Sequence, residues 1–166
     1  MTNNALALVA LCNEYCAALQ AAEGMTAREL AIQMQRLLPR IYISAADLPA
    51  DSFSEAYIDA ALDEESYDAL RRRLETVFGE HDTYLEVFEE DMKYSDTPIG
   101  ASVAEGLADL FQVFYNMLEA VRDATDELAE EVLSALAEDF RDYWSQTLVN
   151  VLRPINHIVY RTADDE

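Results

Sequence analysis

Two pairs of carboxylates four residues apart are the first residues of this chain that could do chemistry: Glu105 with Asp109, and Glu138 with Asp142. On a helix that spacing puts both side chains on one face. Hard divalent cations take oxygen ligands, so such pairs are part of what a metal-dependent hydrolase of a small phosphorylated substrate would need. The helical wheel offers a plainer role. At ~100° per residue, Glu105, Asp109, Gln112, Asn116 and Glu119 fall opposite the apolar residues between Leu107 and Phe114, where a solvated face is expected. Glu138 and Asp142 also lie away from the apolar centre of their helix. A metal would need further ligands from a neighbouring helix, so no metal ligand is assigned firmly.

His81 beside Asp82 is the second candidate, in the stretch GEHDTYLEVF. It could be an acid–base pair, but adjacent side chains point apart, and Asp82 suits a turn cap. The residues after it, Tyr84, Leu85, Val87 and Phe88, would anchor the loop to the end of a bundle. A packed joint is expected first and a binding loop second. Chain geometry places His81 and Asp82 near the start of the fourth helix, where the acidic run Glu86–Asp91 can settle against unpaired N–H groups. A third set, Asp139, Tyr143, Gln146 and Asn150, runs along one flank of an apolar stripe. It could line a small-ligand pocket between helices, or only hydrogen-bond neighbouring chain.

Other chemistries have little to stand on. Cys12 and Cys16 share a helix face, and the spacing to His81 and His157 matches no zinc module. They are expected to be reduced, buried thiols. No G-x-S-x-G, P-loop or glycine-rich dinucleotide turn is present.

The elements that must position these residues are helical. Four glycines and four prolines in 166 residues leave few turns for strands. A first helix runs from about Asn4 to Glu23, with Gly24 as its stop. Thr26 to Glu29 is a capping box opening the second, in which Pro39 predicts a kink or short break. A connection over 48–62 leads to a third helix from Asp63 or Glu64 to Phe78, ended by Gly79. Residues 79–101 show no period. Ser102 to Glu105 is another capping box, opening a fourth helix that breaks at 123–125. The fifth runs from Asp126 to at least Val151, and Pro154 kinks or ends it. Tyr15, Tyr42, Phe111, Phe114 and Trp144 sit at core spacing, as do Leu128 and Tyr143 on the fifth helix. The expectation is one all-α domain over 1–166, a bundle of four long helices plus a shorter one, with a frayed acidic tail at 161–166.

Charge narrows the partners. Thirty-three acidic residues against eleven basic ones give a net charge of −22. That field repels nucleic acid and anionic lipid and would steer a basic protein. The apolar runs are too short to span a bilayer. The N-terminus lacks the basic region of a secretion signal, and the cytoplasm is the expected location.

Several segments resemble an uncharacterised bacterial family of acidic all-helical proteins catalogued as a domain of unknown function. They are Leu37-Leu38-Pro39, the stretch from Gly79 to Phe88, Glu105 with Leu107-Ala108-Asp109, and Tyr143-Trp144 through Leu148-Val149-Asn150. The resemblance reaches from about residue 7 to 157. It departs at Gly106, where family members often carry an acidic residue, and at Ser145, where they often carry glycine. It implies a single helical domain and no known reaction, cofactor or partner. The candidate binding residues are therefore His81, Asp82, Glu105, Asp109, Tyr143 and Asn150. A non-enzymatic module for a basic protein partner is the first reading, with the hydrolase and the small-ligand pocket as alternatives. No cofactor is predicted, and a divalent metal stays open.

Overall fold

The computed structural model describes residues 1–49, 57–86 and 99–162. Side-chain caps start its helices. Thr2 accepts the Ala5 N–H to open α1 (Asn3–Gln20), and Thr26 with Glu29 makes a reciprocal capping box for α2 (Ala27–Ala46). Asp63 opens α3 (Glu64–Phe78), Ser102 opens α4 (Val103–Val121) and Thr125 opens α5 (Asp126–Asp139). One π-helical turn, Phe140–Trp144, carries the backbone onward into α6 (Ser145–Arg161). Gly79 caps α3 at φ +53°, a conformation that L side chains rarely adopt.

The helices form a bundle. α2 packs on α1 and α6, α4 packs on α1 and α6, and the shorter α3 lies outside on α4. One contiguous apolar core joins them. Tyr15 is fully buried in it; its hydroxyl donates to the Leu107 carbonyl at 2.7 Å, and its ring meets Phe114 edge-on at 5.1 Å. Cys12 and Cys16 are free thiols inside the core. Burial pushes Cys16 up to about 12 and Cys12 well above its ordinary value, so neither is a ready thiolate.

Several local expectations need correcting. The helix does not break at Pro39: α2 stays helical on both sides of it. Leu37, Leu38 and Ile41 are buried around the proline and hold the turn against the core. Pro154 does not end α6 either, which continues to Arg161. Residues 79–101 show no period in the sequence; in the structure Gly79–His81 forms a 3₁₀ turn. A two-stranded antiparallel sheet follows, β1 (Thr83–Leu85) on β2 (Gly100–Ser102), with Tyr84 opposite Ala101. Pairing these two short segments satisfies backbone groups that no helix serves. Tyr42, Leu128 and Tyr143 have core spacing but are 38%, 46% and 52% exposed. Leu128 sits in the first turn of α5, and Tyr42 makes an edge contact with Phe140 at 5.2 Å. Val87, Phe88 and most of the Glu86–Asp91 run lie outside the described residues, as do 163–166 of the tail.

Gly106 sets the distance between α4 and α6. A Cβ there would come within 2.2 Å of Val151 Cγ1, and the Val151 side chain is buried and β-branched, hence stiff. Gly106→Leu is therefore expected to cost about 1–3 kcal/mol through overpacking, despite leucine's better helix propensity. Urea denaturation checks this; an unchanged midpoint would mean that α4 and α6 separate freely.

Candidate functional site

The side of α4 opposite its apolar stripe is not simply solvated. α3 packs along α4. Asn116 is half-buried and accepts N–H groups from Ala61 and Leu62 at 2.9 Å each. Over the first two turns of α4 a cleft of about 280 Å³ opens between α4, α6 and the β1–β2 hairpin. Glu105 and Asp109 stand on its α4 side, Thr147 and Asn150 on its α6 side, and Tyr84 and Glu86 on the hairpin side.

Asp109 is the chemically unusual member. It is about half buried, and its Oδ1 accepts the Tyr67 hydroxyl at 2.5 Å. Burial holds its carboxyl above the usual range. The Tyr67 hydrogen bond pulls it back, and the Glu105 charge pushes it up again. Tyr67 is itself raised, by burial and then by that bond, so it stays a donor. Tyr84 is raised by burial and by Glu86, whose Oε1 accepts its hydroxyl at 3.1 Å. Tyr143 stands half-exposed near this group; burial and the Asp109 charge raise its hydroxyl as well. Gln146 donates to Asn150 Oδ1 at 2.8 Å along α6, which fixes the Asn150 side chain. Among the described residues no ion pair reaches Glu105 or Asp109.

Of the residues singled out in the sequence, the fold gathers Glu105, Asp109 and Asn150 in this cleft, with Tyr143 beside them. It places His81 elsewhere, and it leaves Asp82 behind the cleft wall, bonded to Ser102 of the lining. His81 lines a second cleft, between the 79–85 segment and the outer face of α6. Asp82 is a cap: its Oδ1 accepts the Ala104 N–H at 2.7 Å, its Oδ2 accepts the Ser102 hydroxyl at 2.7 Å, and its carbonyl accepts the Val103 N–H at 2.9 Å. Asp82 thus lies at the start of α4, where chain geometry placed it. Glu138 and Asp142 are exposed. Among the described residues no group of three or more His, Cys, Asp or Glu side chains is placed to hold a metal ion.

Sequence reasoning missed Tyr67, Tyr84, Glu86 and Thr147. Tyr67 and Thr147 fall on apolar helical stripes and read as core, which hides the polar tip that each presents. The Tyr84 hydroxyl becomes part of the cleft only through the hairpin, and the hairpin has no periodic signal.

Residues 1–161 match the family described as "Domain of unknown function (DUF5063)". The fold is also that of protein BF1032 from Bacteroides fragilis, known from a crystal structure. The TM-score is 0.82 at 27% sequence identity, covering 96% of this chain and 94% of that one. No curated protein matches the chain.

Proposed function

The chain belongs to the DUF5063 family, a domain of unknown function, and we propose that it is a non-enzymatic binding module for a basic protein partner. Its site is the acidic cleft, which receives a lysine or arginine side chain. One observation carries this: Asp109 is half buried next to Glu105, with no cationic partner among the described residues. A buried carboxylate without a counter-charge costs stability, and a ligand cation would recover that cost. The net charge of −22 would steer a basic partner toward the cleft from a distance. A free small amine occupying the same cleft is the second reading, favoured by the modest volume. A metal-dependent hydrolase draws less support, because the cleft offers three carboxylates but no described three-residue set that could hold a cation.

Calorimetry with a lysine-rich peptide at physiological salt tests the proposal. Glu105→Gln/Asp109→Asn is expected to weaken binding by at least about tenfold, as loss of a desolvated charge partner does. Glu138→Gln/Asp142→Asn removes the same charge elsewhere and should change binding by less than about twofold, since exposed charges contribute little. Equal weakening by the two variants would show diffuse attraction and remove the cleft from the account. Asp109→Asn alone should leave the melting temperature unchanged or raise it, because the half-buried charge disappears.

A further inference from the structure

The second cleft has the opposite charge. It encloses about 610 Å³, within the range of small-molecule sites. Arg153, His157 and Arg161 line it from α6 and His81 from the facing 3₁₀ turn, with Glu80 the only acidic residue of its lining among the described residues. Acidic residues outnumber basic ones 33 to 11 in this chain, yet here, among the described residues, two arginines and both histidines face a single carboxylate. Chance placement on so acidic a surface would give the reverse.

Arg153, His157 and Arg161 are spaced i, i+4, i+8, so they form one row along α6, about 12 Å from end to end. Arg153 is held in place: its Nη1 donates to the Leu85 carbonyl at 3.2 Å. His81 Nε2 lies 3.9 Å from Glu80 Oε1, an exposed side chain. Among the described residues no carboxylate pairs with Arg153 or Arg161. A helix C-terminus favours basic residues through its dipole, and that accounts for His157 and Arg161. It does not account for Arg153, two turns further from the end, or for His81 on the opposite wall.

We propose that this cleft is an anion site for a chain of two or three phosphate groups, laid along the Arg153–His157–Arg161 row and closed by His81. Two arginines some 12 Å apart with a histidine donor between them suit a linear polyanion better than a single phosphate, and arginine is the usual phosphate fork. The site is independent of the acidic cleft, from which the Tyr84 strand divides it; Tyr84 lines both.

Calorimetry with inorganic tripolyphosphate and, separately, with ATP, both without metal and at physiological salt, tests this. Saturable one-to-one binding is expected for at least one of them. Binding of both assigns the phosphate chain itself as the ligand; binding of ATP alone assigns a nucleotide. His157→Gln/Arg161→Gln should weaken binding at least tenfold with an unchanged far-UV circular dichroism spectrum. His81→Gln, on the other wall, should weaken it severalfold and does not touch α6. No saturable binding of either probe, or equal affinity in all three proteins, overturns the proposal.

Discussion

Trp144→Ala is expected to destabilise the protein by about 3–5 kcal/mol, the largest single effect in the bundle. Trp144 is fully buried where the π turn passes into α6. Its ring meets Phe114 of α4 edge-on at 5.2 Å and Phe140 at 4.6 Å, so its loss opens a cavity at the meeting point of α4, α5 and α6. The indole N–H is also satisfied, donating to the Leu136 carbonyl at 3.2 Å. A helical side chain leans toward the N-terminus, and that is how residue 144 reaches back to 136. Trp144→Phe separates the two contributions. It keeps most of the ring and loses the hydrogen bond, so it should cost about 1–2 kcal/mol. Urea unfolding measures both. Equal midpoints for wild type and Trp144→Ala would refute the packing account.

Asp82→Ala is expected to cost about 2–3 kcal/mol, from the loss of a helix cap and of charge-assisted hydrogen bonds. The Asp82 side chain is the link between the hairpin and α4. Its carboxylate sits at the N-terminus of α4, where N–H groups are unpaired and the helix dipole favours negative charge. It serves Ala104 and Ser102 at once, while Ser102 serves Glu105. Asp82→Asn keeps one acceptor and should recover about half of the loss. Amide hydrogen exchange at Ala104 and Glu105 should quicken in Asp82→Ala and stay slow at Leu110. Uniform quickening along α4 would mean global unfolding in place of a lost local cap.

How much of this was legible beforehand differs by element. The amphipathic stripes, the caps at Thr26 and Ser102 and the scarcity of glycine specify most of the helices. Each of these signals is local, carried by residues within a few positions of one another. Asp82 near the start of α4 was also legible, because Gly79 and Ser102 must be joined by chain passing over the bundle end. The hairpin was not, since its pairing depends on two short stretches fifteen residues apart with no periodic pattern.

For the candidate site the division is sharper. The sequence by itself determined that Glu105 and Asp109 share a helical face and that Asn150 lies at the edge of an apolar stripe, because helical spacing alone dictates both. It also determined the acidic field, which is only a count of charges. Tertiary structure decided that α3 would half-bury Asp109 against Tyr67, that α6 would bring Thr147 and Asn150 to face it across the close approach at Gly106, and that His81 would turn away to join Arg153, His157 and Arg161. The physical reason is that burial and cross-helix proximity are set by which faces pack together and at what distance. No residue's own neighbours in the chain report either quantity.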